Sequence, residues 1–454
     1  MRKIAFLIAL LWVFPAGAVN ISDVAVIIEE EEYYPPIFDV YPGLREEVPW
    51  IHLGIWPTPL QKLEAYGEAV GLPNLWLKND GLSSDLYGGN KLRKLEFLLA
   101  DAKAKGYKTL IASGAVGTNS GLATCIHARR LGIKTILLTS DQPNAQYARD
   151  NMLLDLYFGA KMVYAPSDMD IFSQYVQQYI TNSLKEPSYL IFMGATCPLS
   201  CIGWANAAFE LKEQVEEGLM AEPDYIFLAL GSMGTAAGLH VGCKLAGLKT
   251  EVIPIPITEP SDARLYALLI AATNLYMKMR DPSVPFIGVN PSEITFPKEH
   301  IGKEYAMFTP EGCEAVRMMM ELEGVHLDGT YTGKAMAGAV DWLKKNHQED
   351  KVSLFINTKN AVDLRYLTQD LDYHDLPRGY WKYFEEPIQQ EDQKLEEYLA
   401  SYLGEPQVDP SVEAHIREMP PISWPEDDVP VYSSAPWIIK GIMDFISTWF
   451  ALPW

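Results

Sequence analysis

Short apolar runs alternate along the middle of this chain with longer stretches of helical periodicity, and that alternation narrows the folds open to it. Residues 75–78 precede a helical pattern over 91–105, residues 109–112 precede 120–131, and 135–139 follow. The same order returns over 225–230, 236–245, 251–255, 310–323, 334–346 and 352–356. Strands separated by helices of this length must be joined by crossovers, so they lie parallel and are covered on both faces. The expected class is α/β, with two lobes, each an open, mainly parallel sheet flanked by helices. In such folds ligands bind where loops gather at the carboxyl ends of strands.

Outside this body the composition changes. Arg2 and Lys3, the apolar residues 4–14 and Ala16-Gly17-Ala18 form the three parts of a secretory signal peptide, with removal expected after Ala18. The expected location is therefore exported, periplasmic or secreted. Residues 19–48 form an acidic arm that contains Glu29 to Glu32. Residues 49–90 with 206–375 are expected to make a large domain and 91–205 a small one. Residues 376–454 make an acidic extension ending in an aromatic stretch. There Ile438, Ile442, Phe445, Ile446 and Trp449 recur at helical spacing, which suits docking on the body or a second copy better than contact with a membrane surface.

A net charge of -22, from 37 basic and 59 acidic side chains, repels a phosphate backbone, so nucleic acid is not an expected partner. Five cysteines are too few for a disulfide scaffold, although export would permit a bond between Cys197 and Cys201. Cys125, Cys243 and Cys313 sit in apolar helical patterns and read as core residues. The eight histidines have no ligand spacing, and no metal is expected.

Four loops carry chemistry. Tyr87-Gly88-Gly89-Asn90-Lys91-Leu92-Arg93-Lys94 places two glycines, able to turn sharply and approach a ligand, just before the lysine Lys91 at a helix start. Residues 113–120, Ser-Gly-Ala-Val-Gly-Thr-Asn-Ser, link a strand to a helix, so backbone N–H groups and a helix N-terminus face an anion such as a carboxylate. An ordinary helix cap by Thr118 or Asn119 is the alternative. Gly231-Ser232-Met233-Gly234-Thr235 is neither a Walker loop nor a dinucleotide fingerprint, but suits one phosphate held by amides and hydroxyls. Asn357-Thr358-Lys359-Asn360 ends a strand where a polar side chain can face a ring.

Taken together, GGNKLRKLEF, GAVGTN, GSMGTAAGL and LDGTYTGKAMAG resemble the D-cysteine desulfhydrase and 1-aminocyclopropane-1-carboxylate (ACC) deaminase family of fold-type II pyridoxal-phosphate (PLP) enzymes, which are tryptophan synthase β-like. The likeness spans about residues 50 to 375. It implies that Lys91 carries PLP covalently and acts as the base at the substrate Cα. Asn119 would meet the ring hydroxyl oxygen, and Gly231, Ser232, Gly234 and Thr235 the phosphate. Thr358 would face the pyridine nitrogen, while Thr118, Asn119 and Ser120 would hold the substrate carboxylate. Tyr305 and Tyr331 would line the substrate side, and the assembly would be a homodimer.

Three departures bear on the substrate. Thr332 stands where ACC deaminases usually carry Glu, as in the desulfhydrase branch. Gly117-Thr118-Asn119 replaces the common Gln-Ser-Asn, and Asn357-Thr358-Lys359-Asn360 replaces His-Thr-Gly-Gly. The expected activity is PLP-dependent α,β-elimination on a small amino acid, D-cysteine or a β-substituted analogue, giving pyruvate, ammonia and sulfide. ACC deamination and amino-acid racemisation are alternatives on the same scaffold. A PLP-fold protein that binds without turnover is the alternative from another class.

Overall fold

A computed structural model describes residues 33–424, apart from positions 184, 260, 261 and 295. The signal peptide, most of the acidic arm and the C-terminal aromatic stretch lie outside the described residues. In chain order the strands and principal helices are β1 (Leu60–Lys62), β2 (Leu75–Asn79), α1 (Asn90–Ala104), β3 (Thr109–Ala115), α2 (Asn119–Arg130) and β4 (Lys134–Ser140). They continue as α3 (Gln146–Tyr157), β5 (Lys161–Tyr164), α4 (Asp168–Ser183), β6 (Ser188–Ile191), α5 (Pro198–Glu216), β7 (Tyr225–Leu230) and α6 (Gly234–Ala246). The last are β8 (Glu251–Pro256), α7 (Ala263–Arg280), α8 (Pro310–Glu323), α9 (Thr332–Lys345), β9 (Ser353–Asn357) and α10 (Gln390–Leu403).

Two sheets organise these elements, one in the order β1-β2-β9-β7-β8 and the other β5-β4-β3-β6. All pairings are parallel except β1 with β2, which runs antiparallel at an edge. Every residue of β3 is buried, as expected of a central parallel strand covered on both sides. Around the first sheet, Leu75, Phe227, Ile255 and Phe355 pack with Val316, Met319, Met336 and Leu343 from α8 and α9. Beneath the second, Ile111, Ile136 and Leu138 pack against Ile171, Tyr175 and Tyr179 of α4.

The acidic segments at either end of the body are built into it where they are described. Two short helices, Ile37–Val40 and Pro42–Glu47, bury Ile37, Phe38 and Leu44. Ile37 N donates to Asn206 Oδ1 at 3.1 Å and Gly43 N to Asp281 Oδ2 at 2.9 Å. From the extension, Leu395 and Leu399 of α10 enter the first core, and Trp424 packs beside the second. All five cysteines are buried free thiols, so Cys197 and Cys201 are not bonded to each other. Among the described residues no helix is long and apolar enough to cross a membrane, and no group of His, Cys, Asp or Glu is arranged to hold a metal ion.

Candidate active site

The carboxyl ends of β3, β4, β7 and β9 converge on a cavity of about 420 Å³, within the range of small-ligand and cofactor sites. It is lined by Lys91, Thr118, Asn119, Ser120, Gly231, Ser232, Thr235, Tyr305, Tyr331 and Thr358. Of the residues given a catalytic, cofactor-binding or substrate-binding role from sequence, Gly234 alone does not line it and stands behind the loop. There an added Cβ would lie 2.6 Å from Lys94 Nζ and 2.7 Å from Thr196 Oγ1, so any larger residue would displace those side chains.

Lys91 is the second residue of α1, and Gly88 and Gly89 set its approach. A Cβ on Gly88 would lie 2.5 Å from Gly81 O, and one on Gly89, whose φ is 93°, would lie 2.7 Å from Thr358 O. These glycines therefore permit close passage of the chain past its own backbone, where the sequence suggested passage past a ligand. The Lys91 amine has no hydrogen bond or ion pair among the described residues. Burial, helped by the charge of Lys94, pushes its pKa well below the ordinary lysine value. An unpartnered amine whose charged form is disfavoured by burial is suited to act as a nucleophile and a base.

Behind Lys91, α1 is anchored by charge. Arg93 Nε donates to Asp80 Oδ2 at 2.7 Å and Nη1 to Glu210 Oε2 at 2.9 Å, while Lys78 Nζ lies 2.7 Å from Glu210 Oε1. Arg93 Nη2 also donates to Thr58 Oγ1 at 3.1 Å. This buried network ties β2, α1 and α5 together. Although burial opposes its charge, Arg93 and Lys78 hold the Glu210 carboxyl down to about 2.

At the start of α2 the predicted anion loop is shorter than expected, because Ser113, Gly114 and Ala115 belong to β3. Thr118 is the helix cap: its Oγ1 accepts from Gly121 N at 3.1 Å, leaving its O–H proton free to donate. Asn119 Oδ1 accepts from Asn151 Nδ2 at 2.9 Å and from the Tyr87 hydroxyl at 3.4 Å. Those bonds fix the amide so that its NH2 remains the available donor, the polarity a ring oxygen requires.

In the loop at the start of α6, Met233 has a left-handed φ of 66°, and helix N–H groups open toward the cavity. Ser232 Oγ pairs with Thr196 Oγ1 at 2.8 Å, and Asn90 Nδ2 donates to Thr235 Oγ1 at 3.1 Å. Lys94 Nζ donates to Gly194 O at 3.0 Å and to Thr196 Oγ1 at 2.9 Å. Burial brings the Lys94 amine down to about 8. Opposite, the hydroxyls of Tyr305 and Tyr331 share a hydrogen bond, and burial raises both phenols, so both remain protonated donors.

The family model of pyridoxal-phosphate dependent enzymes matches residues 51–359. The chain belongs to that family. Among its relatives, a D-cysteine desulfhydrase of Salmonella paratyphi B is 33% identical over 68% of this chain and 93% of the relative. A Pyrococcus furiosus protein with the provisional name 1-aminocyclopropane-1-carboxylate deaminase is 31% identical over 70% of this chain and 93% of the relative. The crystal structure of an ACC deaminase homologue superposes with a TM-score of 0.62 at 28% identity, covering 76% of this chain and 98% of that one.

The residues present fit the family's cofactor. PLP requires an amine, an anion cradle and donors around a ring, and this cavity has the buried Lys91 amine, the 231–235 loop and Asn119. The glycine at position 234 brings the cation Lys94 directly against the back of that cradle. Lys94 closes the first of the four loops but was given no role from sequence, although its signal was present: it follows Lys91 by three residues, on the same helix face. Asp141 also lines the cavity without a motif to mark it, as does Asp328, which lies inside LDGTYTGKAMAG but was given no role. In the departed loop, Lys359 does not fill the site. Its Nζ donates to Asn360 O at 3.0 Å, and Asn360 Oδ1 in turn accepts from Gly88 N at 2.8 Å.

Proposed function

We propose that this PLP-dependent enzyme is a lyase that eliminates the β-substituent of a small amino acid, with D-cysteine as the leading substrate. The observation that carries the reading is the unpartnered, buried Lys91 amine facing both the anion-holding start of α2 and the tyrosine pair. When bound, PLP supplies an electron sink for negative charge developing at the substrate Cα. The chain supplies the rest.

The N–H groups at the start of α2 and the Thr118 hydroxyl hold the substrate carboxylate and turn the Cα–H toward Lys91. The Lys91 amine, its charged form disfavoured by burial, takes that proton. The Tyr305–Tyr331 pair faces the departing group, and a protonated phenol there can hand a proton to the thiolate. Water hydrolyses the released product, so D-cysteine and water give pyruvate, ammonia and hydrogen sulfide.

ACC opening is the second reading, and one local feature favours elimination over it. Thr332, which stands in place of the glutamate usual in ACC deaminases, turns its hydroxyl onto Asp328 Oδ2 at 2.7 Å. A pyruvate and sulfide assay on both cysteine enantiomers and ACC, with Lys91→Ala as control, tests the choice. Sulfide from D-cysteine in the wild type alone is expected, whereas equal rates in the variant would remove the mechanism.

Two further parts of the proposal concern the whole chain. Export rests on the three-part pattern of residues 1–18. A homodimer is supported by an apolar face formed by α4, α7 and the segment after α7, where Phe172, Leu265, Leu268 and Phe286 are each more than half exposed.

A further inference from the structure

The family match ends at residue 359, yet the extension beyond it reaches back to the substrate side of the cavity. Tyr305 sits in a turn closed by Met307 N donating to Glu304 O at 3.3 Å. The next residue, Ala306, is fully buried with φ 60°, a left-handed conformation that a side chain disfavours and that must be held from outside. Gln389 holds it. Its Oε1 accepts from Phe308 N at 2.7 Å, its Nε2 donates to Ala306 O at 3.0 Å, and its own N donates to Asn144 O at 3.0 Å. The side chain thus brackets the strained residue, and the backbone of the same residue ties it to the loop after β4.

A second group from the extension acts on that same loop. The Tyr383 hydroxyl donates to Asp141 Oδ1 at 2.7 Å and accepts from Gln142 N at 3.2 Å. The Gln142 side chain accepts from Gly117 N at 3.2 Å and donates to the Tyr147 hydroxyl at 2.9 Å. Gly117 precedes the cap of α2, and Asp141 lines the cavity. The extension therefore braces both the Tyr305 turn and the carboxylate loop.

We infer that Gln389 is a positioning residue for the reaction: it fixes the strained 304–307 turn so that Tyr305 stays hydrogen-bonded to Tyr331 over the substrate. The inference rests on the elimination reading for what Tyr305 does, but the clasp itself can be tested without turnover. Hydrogen exchange on the PLP-loaded full chain reads the Phe308 amide, whose recorded acceptor is Gln389. In Gln389→Met, of similar shape but without either bond, that amide exchanges at least about tenfold faster. Tyr383→Phe, which loosens only the other brace, leaves it at the wild-type rate.

With D-cysteine, Gln389→Met lowers kcat about tenfold with little change in KM. Gln389→Glu, which keeps the bond from Phe308 N, falls between. Added to Tyr305→Phe, Gln389→Met causes no further loss, as expected when one residue acts through the other. Wild-type exchange at Phe308 in Gln389→Met, or losses that multiply in the double variant, would overturn the inference. A wild-type enzyme silent toward both cysteine enantiomers counts against elimination alone, and the exchange result still decides the clasp.

Discussion

Two lysines three residues apart divide the electrostatic work of this site. Burial beside another amine disfavours the charged form of Lys91, and Lys94 shares carbonyl and hydroxyl partners behind the glycine of the anion loop. The rate at which PLP loads onto the apo protein should therefore rise with pH about a midpoint well below the usual lysine value of 10.5. Stopped-flow absorbance across pH measures it, and a midpoint near that of a free lysine would contradict the burial argument. The stability linkage has a definite sign. The unfolded chain binds a proton at Lys91 that the folded chain does not, so apo stability rises as pH climbs toward 10.5. Lys91 was singled out because GGNKLRKLEF, with the three other motifs, resembles the family; two glycines and a helix start alone would not have marked it. Gln389 and Arg93 were not, because their partners are distant in the chain: Ala306 and Phe308 for one, Asp80 and Glu210 for the other.

At the scale of elements, α1 is held in place by charge as much as by packing. Arg93 points away from Lys91 into a buried network with Asp80 and Glu210, which fixes how far the helix start enters the cavity. Glu210→Gln leaves two buried cations undercompensated and should cost about 3–5 kcal/mol, read from urea unfolding at neutral pH. Because the folded carboxyl is held near 2 against an ordinary 4.5, its contribution is complete above pH 4.5 and is lost as pH falls toward 2. The variant should lack that part of the acid transition, and an unchanged acid profile would show that the network is not coupled to folding. Strands such as β7 and helices such as α8 were legible from their different periods. In contrast, α5 is buried almost all round and so has no polar face to mark its period, while β5 and β6 are only four residues each. The 113–115 segment was read as loop because its small residues carry no strand signal, yet burial on both faces makes it strand.

For the molecule as a whole, the two sheets meet at a cavity that neither could build alone, and the extension spans the same junction from outside. Light scattering should give the mass of a dimer, and Leu268→Asp should convert it to monomer; a wild-type monomer would leave the apolar face of α4 and α7 without this occupant. The N-terminus of exported protein should be Val19, whereas a retained Met1 would argue against processing after Ala18. The account depends above all on which amine the cofactor occupies, because Lys91, Lys94 and Lys359 all lie at or beside the cavity. Borohydride reduction of the PLP-loaded protein, followed by proteolysis and mass spectrometry, identifies that amine directly. The account predicts a single pyridoxyl group on Lys91; a pyridoxyl group on Lys94 or Lys359, or none, would contradict it.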